Sequence, residues 1–407
     1  MSVAVQPRKP GRKNRPAVRL MTPRFIEYGF YVSLVYGIMG PLLGLQIDRL
    51  GIVFLAGLAC LCFLGFRERP VEFFRTLAFP MGLGISYLII QLMYHGLSIS
   101  AGYVKPFIPW LFTLIVVQAL SFRAGFFHRF VIFALLLGGM LLFFLDFRAS
   151  GDEVIRVGLD RDLGGLSNPN AFASWFGFCT VYFFVFGIVA KRQKVRITSW
   201  IIATSCLFVV TLTVSRGALF ATIIGIVLGS REFLKRGFIP LLLLCILAWI
   251  AYGVGVFDQT ISYYMTRATE KTGRFLVWPR AFEAFMNSPL TGVGANAMQI
   301  FLPEKAKVVT PHNSFLFIAM ASGIFPLIFY AAYWIQATWG VIKELPGKTD
   351  TAAFLLPLVG YAFLSCLTSN MNFMESWVIV TLVASVTLST PNRAGVSKII
   401  RHKKIPR

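Results

Sequence analysis

The sequence predicts an all-α polytopic membrane protein with about twelve transmembrane helices. Three observations carry this. The 407 residues are 57% hydrophobic and 14% charged, with mean hydropathy +0.71, whereas charged residues make up about a quarter of a soluble domain. The apolar residues fall in runs of about 17–22, the length that a helix rising 1.5 Å per residue needs to cross a ~30 Å hydrocarbon core. The basic residues collect in short segments between alternate runs, as they do in cytoplasmic loops. These figures exclude a set of soluble domains, and they exclude disorder, which needs low hydrophobicity. Barrel strands would be half as long and would alternate polar with apolar residues.

A basic tail, residues 1–25, comes first; Arg8 to Arg24 lie in it, and no A-x-A-like cleavage site follows. This reads as an uncleaved start. Apolar runs at 26–46 and 50–66 give the first two spans, and Arg67, Arg69 and Arg75 mark the loop after them. Runs at 76–96 and 104–121 follow, then Arg123 and Arg129, then a run at 126–146. The segment 147–169 leads to a sixth span at 170–190, closed by Lys191 to Arg196. Residues 197–230 hold a single charge, Arg216. One helix of that length would be about 51 Å long, too long for a bilayer. Two spans, 197–214 and 217–230, meeting at Ser215-Arg216-Gly217, fit better. The remaining spans are 238–257, 313–338, 351–370 and 374–390, before a basic tail at 391–407.

With both termini in the cytoplasm, 27 of the 39 Lys and Arg fall inside, which satisfies the positive-inside rule. The exceptions gather in two outer segments, 147–169 and the long segment 258–312. A long loop without low-complexity character is usually functional. Residues 26–390 read as one membrane domain around these two outer loops, 147–169 and 258–312. Net charge +22 does not indicate nucleic acid, because the basic residues form no single stripe with interleaved aromatics. Six cysteines lie inside apolar runs and read as small buried hydrophobes. Acids near spans, Glu27, Asp146 and Glu375, sit at span ends, and Asp48 and Asp258 are isolated. Proton coupling places carboxylates in mid-span and a hard metal wants them clustered, so neither is expected. No cofactor is expected either.

Four constellations are left to carry chemistry. Arg216, in Thr211 to Leu219, sits at the outer surface against the topology rule; it is either a snorkelling side chain or an anion ligand. Arg267, Lys271 and Arg274 are spaced i, i+4 and i+7, one face of a single helix. Alternatively, Thr272 caps a new helix carrying Arg274, Trp278 and Arg280, whose first-turn N–H groups also favour anions. In Thr310-Pro-His-Asn-Ser314, Asn313 or Ser314 can cap the tenth span. His312 then sits before a helix N-terminus, whose dipole favours the neutral imidazole that can act as a base. In Gly164 to Phe172, Asn168 or Asn170 can cap the sixth span, with Arg161 close before it. Pro289 to Gly294 reads as a turn. His95, His128 and His402 lie at span ends or in the tail and have no expected role in chemistry.

Taken together, these motifs resemble the bacterial O-antigen ligase family, which includes polysaccharide polymerases and protein O-glycosyltransferases. The resemblance covers about 160–325 and is strongest over 273–323: G-R-F-L-V-W, N-S-P-L-T-G-V-G, P-H-N-S-F-L and Gly323, with S-R-G at 215–217 and N-P-N at 168–170. It implies a GT-C-like membrane glycosyltransferase with a periplasmic site in the bacterial inner membrane. The implied donor is a glycan on undecaprenyl diphosphate, and the implied acceptor is lipid A–core or a second glycan. No metal, nucleotide sugar or nucleic acid is implied. It matches Arg216, Arg274 and His312 to the catalytic positions. Arg280, Arg267, Asn313, Arg161 and Asn170 are carried over as substrate-binding residues, less firmly. A transporter of lipid-linked glycans is the remote alternative. It would need polar groups at mid-depth, and the spans have few.

Overall fold

The computed structural model describes residues 24–39, 48–65, 70–96, 107–123, 125–150, 154–159, 168–232, 258–269, 273–294, 300–302, 307–343, 350–368 and 374–388, with Leu242 and Ile246 as single positions. The elements run α1 (Arg24–Met39), α2 (Asp48–Gly65), α3 (Pro70–His95), α4 (Phe107–Ser121), α5 (Phe126–Leu141), β1 (Leu145–Ser150), β2 (Val154–Leu159), α6 (Pro169–Val189), α7 (Gln193–Leu212) and α8 (Arg216–Glu232). Then come α9 (Asp258–Thr269), α10 (Gly273–Asn287), β3 (Ile300–Leu302), β4 (Lys307–Val309), α11 (Ser314–Ser322), α12 (Ile324–Ile342), α13 (Asp350–Cys366) and α14 (Met374–Leu388). The ninth expected span, 238–257, lies outside the described residues apart from Leu242 and Ile246, as do residues 1–23 and 391–407 of the tails.

The described chain is mostly helical, and five of its helices are long and apolar enough to cross a membrane. These are Phe74–Tyr94, Phe126–Phe144, Pro169–Val189, Gln193–Leu212 and Ile324–Ile342, and four shorter apolar helices accompany them. Large apolar side chains such as Met93, Leu136, Ile201, Ile335 and Trp339 stay exposed on their surfaces. That is the pattern of helices solvated by lipid, and the chain is a multi-pass membrane protein.

Three expectations change. The tenth span is two helices, α11 and α12, broken at Gly323, whose φ is 80°. The outer segments are not plain loops. The first contains the antiparallel hairpin β1–β2, which starts inside the expected fifth span, and the long one contains α9, α10 and the antiparallel pair β3–β4. Finally, Cys60 is exposed, while Cys62, Cys179, Cys206 and Cys366 are buried. Cys60 and Cys62 are two residues apart on one helix, about 200° around it, so one faces the bundle and the other faces out.

At the centre stands α6, buried over nearly its whole length. A helix apolar on all sides can be satisfied only by neighbours on every side or by lipid. Here neighbours fill the role: α5, α7, α8, α13 and α14 all pack on it. Close approach to α8 uses the Gly225-x-x-x-Gly229 spacing, which brings that backbone against Val181 and Val185 of α6, as small residues do between membrane helices. Trp175 of α6 donates its indole N–H to the Ala134 carbonyl of α5 at 2.8 Å.

One end of the bundle is closed by a buried ion cluster. Glu27 at the start of α1 is 3% exposed. Its carboxylate accepts from Arg129 Nε at 2.7 Å, Arg129 Nη2 at 2.9 Å and the Tyr31 hydroxyl at 2.9 Å. Arg123 Nη1 lies 2.8 Å from it. The bidentate pairing repays the desolvation of a carboxylate in an apolar bundle and pins α1 to the corner between α4 and α5. Glu27 therefore has a structural partner set.

Candidate functional site

The opposite end of the bundle gathers the four constellations. Asn168 caps α6: its side-chain oxygen accepts the Asn170 backbone N–H at 2.9 Å, and Pro169 takes the first helical position. Pro is suited there because its missing N–H would have no helical partner. Of the two asparagines left open by the sequence, Asn168 is the cap and Asn170 is released for another contact. The Asn170 side-chain oxygen accepts the Ser215 hydroxyl at 2.9 Å. That bond joins N-P-N to S-R-G.

The chain between α7 and α8 turns within three residues, Thr213 to Ser215. So sharp a reversal forces Val214 to φ 49°, a costly conformation for a β-branched residue. Arg216 opens α8 and is half-buried. Beside it, Gly217 presents bare backbone to the side chain of Thr368, just past the end of α13. The carbonyl of Thr368 accepts Arg274 Nη2 at 3.1 Å.

Arg274 belongs to the first turn of α10. The chain forms two helices, α9 and α10, so Arg267 and Arg274 share no helix, and Arg274, Trp278 and Arg280 lie together on α10; Thr272, the expected cap, lies outside the described residues. Four residues on, Trp278 lies on the same face as Arg274. Its indole N–H donates to the Pro311 carbonyl at 2.8 Å, which fixes the turn holding His312. This residue has φ 47°; among the described non-glycine residues only Val214 and His312 are in the left-handed region. Strained residues of this kind collect at functional sites. Asn313 then caps α11, its side-chain oxygen accepting the N–H groups of Phe315 at 3.0 Å and Leu316 at 3.2 Å.

A continuous series of contacts thus runs from Asn170 through Ser215, Gly217, Thr368, Arg274 and Trp278 to Pro311. It brings together the segments that carry Arg216, Arg274 and His312. Asn170 and Asn313 are both engaged in holding these turns. Arg280 is half-buried on α10 but roughly 240° around it from Arg274, so it serves another face. Arg267 is in the last turn of α9, its side chain not among those described, and Arg161 lies outside the described residues.

Sequence reasoning missed two contributors. Thr368 is one; its only signal is a polar step, Thr368-Ser-Asn370, after an apolar run. The end of α3 is the other, at the close of a run, 76–96, read as a span alone. Gln91 donates to the Ala321 carbonyl at 3.1 Å, and Tyr94 donates to the Gly292 carbonyl. Both brace the break between α11 and α12. There the Val293 N–H bonds to the Met320 carbonyl at 2.7 Å and the Ile324 N–H to the Pro289 carbonyl at 2.8 Å. The Pro289 to Gly294 turn is therefore a plug that satisfies the backbone groups freed by the break.

An apolar groove of about 610 Å³ opens along α12 and α13. It runs from Phe315 and Leu367, next to the site residues Asn313 and Thr368, to Ile342.

Residues 201–331 match the family model described as O-antigen ligase. That stretch is similar to the O-antigen ligase family. The matched stretch takes in S-R-G, α10 and the His312 turn, three segments of the contact series, and also the break at Gly323; Asn170 and Thr368 of the series lie outside it. Members of this family are glycosyltransferase-type membrane enzymes, ligases or polymerases, that act on lipid-linked glycans. No curated protein matches the chain.

Proposed function

We propose that this protein is a metal-independent glycosyltransferase of the inner membrane that moves a glycan from undecaprenyl diphosphate to an acceptor hydroxyl on the periplasmic face. The acceptor is lipid A–core, so that the reaction is O-antigen ligation. Twelve spans with both termini in the cytoplasm belong to the same reading. The observation that carries it is the contact series, which puts two arginine-bearing turns and a strained histidine turn at one end of the bundle, inside a segment that matches the family.

The chemistry follows from those groups. The acceptor oxygen bonds to the anomeric carbon as the bond from that carbon to the diphosphate oxygen breaks. The electron pair leaves with the diphosphate, where Arg216 and Arg274 stabilise the growing charge, the part a metal plays elsewhere. The hydroxyl proton passes to the His312 imidazole. A single displacement inverts the anomeric configuration. Arg280, Arg267 and Arg161 add positive potential around the incoming headgroup. The groove beside the site suits the carrier's hydrocarbon tail, since each buried CH₂ contributes roughly 0.8 kcal/mol.

The test uses purified full-length protein in lipid nanodiscs, with carrier-linked glycan, lipid A–core and EDTA, and no ion gradient. Glycan-bearing core is the expected product, at the same rate with or without the chelator. Growth of glycan on the carrier with unmodified core would assign the polymerase reaction. Movement of intact carrier-linked glycan across the membrane, with no new glycosidic bond, would assign a transporter.

The groove makes its own prediction. Thr338, half-buried on its wall, lies far along α12 from the site. Thr338→Trp should raise KM for a long-chain carrier about tenfold, equivalent to roughly 1.4 kcal/mol, and leave a short-chain analogue unaffected. Equal KM changes for both chain lengths would remove the tail from the groove.

A further inference from the structure

The proposed chemistry needs Arg216 and Arg274 at a fixed separation, since both must meet one diphosphate. They come from different elements, α8 and α10, separated by more than 55 residues of sequence. Thr368 is where the two elements are joined. Its carbonyl accepts Arg274 Nη2 at 3.1 Å. Its N–H is held by the Ser365 carbonyl at 3.1 Å, and its hydroxyl turns back to the Leu364 and Ser365 carbonyls, each at 3.3 Å. The residue is therefore anchored to α13, and its acceptor carbonyl comes from the negative end of that helix, which favours a guanidinium. On its other side it seats on Gly217. A Cβ placed on Gly217 would lie 2.9 Å from Thr368 Cβ, 3.1 Å from its methyl and 3.2 Å from its hydroxyl oxygen. Gly217 is the neighbour of Arg216.

Resting on the diphosphate reading above, we infer that Thr368 is a positioning residue that sets the spacing of Arg216 and Arg274, its side chain seated on Gly217 and its carbonyl holding the Arg274 guanidinium. The joint accommodates one Cβ, supplied by Thr368. A methyl on Gly217 would push Thr368 away and carry its carbonyl off Arg274. Removing the Thr368 Cβ would leave the seat empty and the carbonyl loosely placed. Moving the Cβ from one side of the joint to the other would refill it.

The experiment is a complementation cycle on the full-length protein in nanodiscs: wild type, Gly217→Ala, Thr368→Gly and the double variant. Affinity for inorganic pyrophosphate is read by calorimetry, with melting temperature measured on each sample. Gly217→Ala is expected to weaken pyrophosphate binding about tenfold, the worth of one charge-assisted hydrogen bond. Thr368→Gly should weaken it about threefold, a partial loss of the same bond. The double variant should return to within about twofold of wild type, with the small residue a gap in one seat. If Gly217→Ala does not fold, the comparison of Thr368→Gly with the double variant still decides. Wild-type affinity in either single variant, or a double variant weaker than both singles, overturns the joint. Loss of affinity that tracks a fall in melting temperature across the four proteins overturns it as well, since that is what simple packing would give. A wild-type protein that binds no pyrophosphate overturns the diphosphate reading first and the joint with it.

Discussion

Arg274→Ala is expected to lower transfer by about 10²–10³-fold, the usual cost of removing one preorganised donor from a developing negative charge, while the protein folds normally. The structural cost of the change is small. Arg274 is half-buried, and its bond to Thr368 meets a carbonyl at a helix end, where water can replace it. Arg274→Lys should recover little, because an ammonium cannot present the planar fork that a phosphate oxygen pair matches. Arg216→Ala should behave alike. His312→Ala should cost about 10²–10⁴-fold, the range for a positioned proton acceptor. The double Arg216→Ala, Arg274→Ala should fall short of the product of the singles, since both act on one leaving group. Initial rates with the purified variants at saturating donor, beside melting temperatures, measure this. Near-normal rates in all three single variants would remove the site.

The fold was legible where one physical signal dominated. Hydrophobic run length pointed to the five described helices that are long and apolar enough to cross a membrane, and the 34-residue stretch around Arg216 had to bend because a bilayer is too thin for it; the turn at Thr213 to Ser215 is where it bends. Capping chemistry narrowed the starts of α6 and α11 to two residues each, and Asn168 and Asn313 proved to be the caps. Hydropathy was blind to Gly323, because a break inside an apolar run changes no average. The β1–β2 hairpin was missed for a different reason: Leu145 to Ser150 does alternate apolar with polar residues, but six residues of alternation are a weak signal beside a full helical run. The candidate arginines, Arg216 and Arg274, stood out as charges in unusual places, and His312 as a histidine before a helix start. Their mutual contacts were not, since Thr368 carries no charge and speaks to Arg274 through its backbone. Gln91 and Tyr94 were hidden similarly, as two polar residues at the end of an otherwise ordinary span.

Gly323→Ala is expected to destabilise the protein by at least about 3 kcal/mol and to abolish transfer through the fold. Two independent costs combine. Gly323 has φ 80° and ψ −165°, a region open to glycine alone. A Cβ there would lie 2.2 Å from the Leu290 oxygen and 2.4 Å from the Leu290 carbonyl carbon, backbone atoms that cannot rotate away. Relief requires the Pro289 to Gly294 turn to lift. That breaks the Ile324 bond to Pro289 and the Val293 bond to Met320, leaving four backbone groups unpaired where water is scarce. The turn also leads from α10, which carries Arg274 and Trp278, so the damage reaches the site without touching a site residue. Gly139→Ala is the matched control, a helical glycine of α5 with open space around its Cβ position, and should change little. The diagnostic pair is melting temperature and transfer rate. Gly323→Ala should lose both together, in contrast to Arg274→Ala, which loses rate alone. A Gly323→Ala protein that melts as wild type would show that the plug and the broken helix are not one structural unit, and the role of the N-S-P-L-T-G-V-G motif would then have to be sought in the chemistry itself.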